Sequence, residues 1–375
     1  MKLVVNLKLV PTRSQALALG QTLERANAAC NAISGTAWEQ GVFGQYRLHK
    51  LVYYKVKADF SLTAQVVVRC IAKVADAYKM DRKSRRAFLP LGSIAYDGRI
   101  LRFLKDDQVN LWTLAGRQTI AYACGPRQRE LLASRKGEVD LVHRQGVFYL
   151  NVVCELEEPP PIKIQDILGV DLGIVNIAAD SDGDIYSGGQ VNGLRKRHAK
   201  LRARLQRKGT KAARRLLKRR SGKEKRFARD VNHRISKRLV AKAERTKRAI
   251  ALEDLRGISS RIRVCRPQRR QQHSWAFNQL RQFIQYKAAL AGVPVLVVDP
   301  RYTSQTCPVC GHVSQSNRVS QALFSCVSCG LAGPADTIAA ENIHALGRAL
   351  VNVPHVSPTL VGLGRDKPLA LARGG

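Results

Sequence analysis

The sequence predicts two modules of different class, a β-rich module interrupted by helices and then a mixed α/β layered sheet. Three observations carry this. Residues 88–156 read as short strands separated by turns. Glu157-Glu158-Pro159-Pro160-Pro161 then makes a stiff break in the chain. Beyond it the order is strand, strand, strand, helix, strand, helix, strand, with connections long enough to hold helices.

Each element has its own reason. Residues 2–10 alternate apolar and polar side chains as a strand does, and from 16 to 38 the apolar residues fall at helical spacing. Helical patterns continue through about 45–85, interrupted near 59–63, where Ser61 is the expected cap of a new helix. Asp97-Gly98 marks a turn, and residues 137–156 read as a hairpin around Gln145-Gly146. After the prolines come a strand ending at Asp171, a second near 174–179, a turn at 180–183 and a third strand near 184–187. Two long basic segments follow, then a strand ending at Glu253, a helix over 273–291 and the apolar strand 293–298. The expected division is 1–12 with 86–160 for the β module and 13–85 for its inserted helices. The α/β module takes 161–304 and 331–350, a cysteine segment 305–330, and a tail of little periodicity 351–375.

Charge narrows the partners. With 64 Lys and Arg against 28 Asp and Glu the chain carries +36, and an imbalance of that size calls for a polyanion, nucleic acid first. The N-terminal apolar run is broken by Asn6, Lys8 and Pro11, so neither a signal peptide nor a membrane span fits, and a cytoplasmic protein is expected. Cys30, Cys70, Cys124, Cys154 and Cys265 stand singly and read as reduced, buried thiols.

The other four cysteines are paired. Cys307-x2-Cys310 and Cys326-x2-Cys329 lie fifteen residues apart, each pair followed by glycine. That is the spacing of a tetrahedral thiolate cage for one structural Zn²⁺, with no position left open for catalysis. Three acids form a second constellation. Asp171 and Glu253 end apolar strands, and Asp336 opens a helical pattern seven residues past the last cysteine. Singly, each has a plain reading as a cap, a turn residue or a solvated charge. Together they are how a sheet gathers two Mg²⁺ ions for phosphodiester hydrolysis, one ion activating water and the other stabilising the leaving oxygen.

Five motifs, GVDLGIVNIAADSDG, IALEDLRGI, YTSQTCPVCG, CVSCG and ADTIAAENI, resemble in that order the TnpB (OrfB) proteins of bacterial insertion sequences, relatives of type V CRISPR effectors. The likeness spans about 165–347. It implies an RNase H-like RuvC nuclease domain with an inserted zinc ribbon, preceded by a β-barrel wedge domain with an inserted helical recognition lobe. Asp171, Glu253 and Asp336 match the three catalytic acids. Ile338 departs from the family, which usually carries Asn there. The resemblance further implies a guide RNA, a double-stranded DNA target and cleavage beside a short DNA motif, with a monomer on the guide RNA favoured. Tyr53, Tyr54, Lys55, Lys57 and Gln65 are the candidates for touching that motif.

From Leu194 to Arg248 the chain holds 25 Lys and Arg against three acids, on helices whose apolar residues recur every three or four positions, with a break near Lys208-Gly209. Few aromatics are interleaved, so these helices suit a phosphate backbone better than unpaired bases. Arg195, Lys196, Arg202, Arg214, Arg215, Lys218 and Arg219 are the candidate contacts. Other functions compete: a compact type V effector with a separately encoded guide, a guide-dependent DNA-binding regulator that does not cut, and a transposase joining DNA itself. Intact acids weigh against the regulator. The absence of a tyrosine nucleophile beside a His-hydrophobe-His motif weighs against strand transfer.

Overall fold

The computed structural model describes residues 1–255 and 277–352. Cys265, the first residues of the helix expected over 273–291 and the expected tail from 353 on lie outside the described residues. The chain divides into two compact units between Glu157 and Glu158.

In the first unit β1 (Lys2–Val10) buries Leu3, Val5, Leu7 and Leu9 on one face. Three helices follow, α1 (Arg13–Glu39), α2 (Gln45–Phe60) and α3 (Ala64–Met80). Thr12 and Gln15 start α1 with a capping box, each side chain accepting the other's backbone N–H. Ser61 does not cap α3 as the pattern suggested. It ends α2 in the left-handed region (φ 49°), and Thr63 takes the capping position of α3. The chain has to turn between Phe60 and the buried Leu62, and Ser61 absorbs that turn.

Seven strands complete or extend the unit: β2 (Ile94–Tyr96), β3 (Leu101–Phe103), β4 (Gln108–Thr113), β5 (Gly116–Ala123), then a short α4 (Pro126–Leu132), β6 (Arg135–Arg144) and β7 (Val147–Glu155), together with β1. They form one antiparallel sheet in the order β2-β6-β7-β1-β5-β4-β3. The turn at Asp97-Gly98 therefore makes no hairpin. It joins the two edge strands, and Tyr96 O–H donating to Trp112 O (3.1 Å) links β2 to β4, which draws the sheet nearly closed. Gln145 (φ 50°) and Gly146 (φ 81°) turn the β6–β7 hairpin as expected. The helices share one core with the sheet, Leu19, Leu23, Val52 and Ile71 belonging to the same buried cluster as Val5, Leu7 and Leu150.

The second unit is built on a five-stranded sheet, β10-β9-β8-β11-β12, from β8 (Asp166–Asp171), β9 (Asn176–Asp180), β10 (Ile185–Ser187), β11 (Arg248–Glu253) and β12 (Val295–Val298). β8, β11 and β12 run parallel, and β9 and β10 antiparallel. The basic segments form α5 (Gly189–Lys208), α6 (Lys211–Arg220) and α7 (Lys223–Arg245), so the break at Gly209 is joined by a second at Gly222. One face of the sheet packs on α7 and α8 (Phe277–Leu290) through Leu239, Val240, Ile284 and Ala288. The other carries α9 (Ala335–Asn352), which runs two residues past its expected end. Between β12 and α9 lies the cysteine segment with its small sheet of β13 (Leu323–Ser325) and β14 (Ala332–Pro334). No helix among the described residues is long and apolar enough to cross a membrane.

Candidate active site

Parallel pairing of β8 and β11 sets Val170 opposite Leu252, so the next residues, Asp171 and Glu253, leave neighbouring strand ends together. Asp336 reaches them from the first turn of α9. That helix lies directly on β8 because two positions there lack a side chain. A methyl at Gly169 would stand 2.1 Å from Ala340 O, and one at Gly347 would stand 2.8 Å from Ile167.

Asp171 feels the other two carboxylates. Burial first, then repulsion by Glu253 and Asp336, pushes Asp171 up to about 7, against the pull of Arg318. Burial also raises Glu253, opposed by the Thr303 hydroxyl and by Arg318. Asn176 donates from Nδ2 to Asp336 (2.9 Å), and Arg318 lies 3.7 Å from the same carboxylate. Thr303 donates its hydroxyl to Glu253. Asp254, the neighbour of Glu253, turns the other way and pairs with Arg281 at 3.1 Å. The acids thus sit partly buried, and oxygen donors of this kind fit hard divalent cations.

The cysteines are drawn tighter. Their sulfurs all lie within 4.8 Å of one another, and among the described residues no other group of three or more candidate ligands closes so far. Among the described residues the three acids do not close into a group of that size. Each cysteine pair sits on a knuckle of the same construction. Gly311 (φ 72°) donates to Cys307 O and Gly330 (φ 76°) to Cys326 O, both at 3.0 Å. Only glycine takes that backbone region without cost. Four thiol ligands with no open position fit one structural zinc. Ile338, where the family usually has Asn, packs in the apolar cluster of Cys307, Cys326 and Phe324, while the amide beside Asp336 comes from Asn176.

The basic candidates divide. Lys196, Arg214, Arg215, Lys218 and Arg219 are exposed on α5 and α6. Arg202 is exposed but 3.8 Å from Glu224. Arg195 is turned inward, its side chain only 11% exposed and 3.4 Å from Glu224. On α2, Tyr54, Lys55 and Lys57 are exposed and Tyr53 stacks on His49 with ring centres 4.6 Å apart. Gln65 stands apart from them on α3, its amide bonded to Asp97 and Arg99. Cys30, Cys70 and Cys154 are buried as expected, and Cys124 is half-buried. Sequence reasoning missed Arg318, Asn176 and Thr303. The last two lie inside recognisable motifs; Arg318, in the loop between the cysteine pairs, had no signal.

A mixed sheet with acids at its strand ends and a four-cysteine segment before its last helix defines the class. Comparison with known proteins agrees. Residues 151–256 match a family described as "Probable transposase", and residues 277–343 match the "Cas12f1-like, TNB domain". A TnpB-like protein of Methanocaldococcus jannaschii is 32% identical over 196 residues, 49% of this chain and 69% of that protein. The chain belongs to the TnpB family. A CRISPR-associated endodeoxyribonuclease Cas12f1 of Sulfoacidibacillus thermotolerans is 32% identical over 225 residues, 53% of this chain and 50% of that protein's length. The fold matches the protein of a Cas12f1–sgRNA–target DNA complex with TM-score 0.55 and 14% identity, over 88% of this chain and 83% of that one.

Proposed function

We propose that the chain is an RNA-guided endonuclease that cuts double-stranded DNA beside a short motif, using one RNase H-like RuvC site for both strands. The observation that carries this is the meeting of Asp171, Glu253 and Asp336 at one end of the sheet, where burial first and then repulsion by the other two acids push Asp171 up to about 7. The names of the matched relatives support the guide RNA and the DNA target.

Asp171, Glu253 and Asp336 would hold two Mg²⁺, whose charge would acidify an attacking water and offset the negative charge gathering on the scissile phosphate. The chain's own residues do the rest. Arg318 brings a guanidinium to the same carboxylates, placed to meet a phosphate oxygen and to stabilise charge that grows in the transition state. Exposed Lys196, Arg214, Arg215, Lys218 and Arg219 would track the backbone of an RNA–DNA duplex, reading its shape while base pairing reads sequence. Tyr53, Tyr54, Lys55 and Lys57 present an aromatic and basic surface for the adjacent DNA motif. Gln65, on α3 and tied to Asp97 and Arg99, is the remaining candidate for that motif. The cysteine segment is a zinc ribbon. The apolar cluster at its base, Phe324 and Leu331 with Ile338 from α9, is too small to fold it without the ion.

The test is to express the chain with its native flanking DNA, sequence the RNA that copurifies, and assay plasmid cleavage with that RNA and Mg²⁺. A discrete RNA and cleavage abolished by Asp171→Ala are expected. Random cellular RNA, or undiminished cutting by the alanine variant, refutes the reading. The equal identity to a Cas12f1 supports a second one, a compact CRISPR effector, which predicts a CRISPR-array transcript as the copurifying RNA.

A further inference from the structure

We infer that Thr303 and Asn342 are positioning residues, through which the turn entering the first cysteine knuckle sets the orientation of Glu253. The inference rests on the metal-nuclease reading above and assigns residues that it does not use.

Glu253 ends its strand, and nothing in the strand itself decides where a carboxylate on three rotatable bonds will point. Thr303 is 4% exposed, and a buried hydroxyl needs a partner. It donates to Glu253 Oε1 and shares the same proton with Pro300 O at 3.1 Å. A neutral donor is the right one for the task. It fixes one oxygen in place and leaves the negative charge uncancelled for a cation, which an arginine or lysine at 303 would not.

Thr303 is itself held. Asn342, 7% exposed on α9, spends Nδ2 on Thr303 O (2.8 Å) and Thr306 O (2.7 Å). Tyr302, just before, takes the left-handed region (φ 62°), rare for a tyrosine, and its carbonyl accepts from Gln305 N (2.8 Å) and Thr306 N (2.9 Å). Asn317 continues the network to both knuckles, donating to Gln305 O and His312 O and accepting from Val327 N. The helix that delivers Asp336 therefore also clamps the turn that aims Glu253. Two of the three acids are registered by one rigid piece.

The experiment uses the zinc-loaded full chain in its RNA complex and counts bound Mn²⁺ by electron paramagnetic resonance. The Glu253→Gln complex gives the background of RNA-bound ions. Partners behind a metal ligand typically contribute 10–100-fold in metal affinity. Thr303→Val, which keeps the shape and removes the donor, is expected to weaken the Glu253-dependent Mn²⁺ sites by at least about 10-fold, and Thr303→Ser to restore them. The Mg²⁺ needed for half-maximal cleavage should rise by the same factor, with the rate recovering at saturation, which a folding defect would not allow. Asn342→Leu should give the same defect, and the double variant should be no worse than either single one, since both act through one turn. Wild-type Mn²⁺ affinity in Thr303→Val, or additive effects in the double variant, overturns the inference. Should the wild-type complex show no sites sensitive to Glu253→Gln, the nuclease reading itself falls, and this inference with it.

Discussion

Replacing Gly169 by alanine tests the placement of the whole site with one methyl group. The new Cβ would lie 2.1 Å from Ala340 O, 2.5 Å from His344 N and 2.9 Å from His344 Cα, all backbone atoms of α9 that cannot swing aside. Roughly 1 Å of separation is missing, so the helix has to lift from β8, and overpacking of this kind costs about 1–3 kcal/mol. In a unit of this size that lowers the melting temperature by about 2–4 °C for each kcal/mol. Asp336 moves with the helix while Asp171 stays on the strand, and a displacement near 1 Å costs on the order of 10²-fold in rate. The assay is a thermal melt beside plasmid cleavage at saturating Mg²⁺. Gly20→Ala is the control. It lies within α1 with nothing inside 4 Å of its added methyl. That variant should gain about 0.5–1 kcal/mol and cut normally. A Gly169→Ala protein that melts and cuts like wild type would refute the packing of α9 on β8 and the site drawn from it.

Other outcomes follow from the same contacts. Asp171, held up to about 7, must lose its proton to bind a cation, so at limiting Mg²⁺ cleavage should fall about tenfold per pH unit below that value. The sign is opposite for the stability of metal-free protein. A carboxyl raised in the folded state contributes stability fully present below about 4 and lost as pH rises through about 7, which a pH series of denaturant melts would show. Lys242 meets Asp180, Asp182 and Asp184 at 2.7, 2.9 and 2.7 Å, and Asp180 is fully buried. Lys242→Met should therefore lose about 3–5 kcal/mol in a urea titration, and an unchanged midpoint would contradict the pairing. Asp182, lowered chiefly by Arg248, adds stability present above the usual carboxylate range and lost as pH falls through its depressed value. The four-cysteine segment should release one zinc per chain to a thiol-reactive agent, measured with a colorimetric chelator. Cys329→Ser should lose that zinc and, by loosening the loop of Arg318, most of the cleavage.

Sequence alone determined what rests on short spacing. The two cysteine pairs, the acids closing apolar strands and the amphipathic basic helices are all written in periods of two to four residues, and such patterns fold where they stand. Tertiary structure decided what depends on groups far apart in the chain. Asp97-Gly98 looks like any turn, yet it joins opposite edges of the sheet, because β2 finds β6 and β3 finds β4. Pro126 at the start of α4 was a legible helix signal, overlooked among the strands. Arg195 reads like its basic neighbours, and only the position of Glu224 turns it inward. Arg318 carries no local mark of its role, and the motifs that hold Thr303 and Asn176 do not say which acid each meets, since the three contacts span 18, 50 and 160 residues of chain. A carboxylate's place on a strand is a matter of local pattern. Its direction and its proton are set by neighbours that only the closed fold brings near.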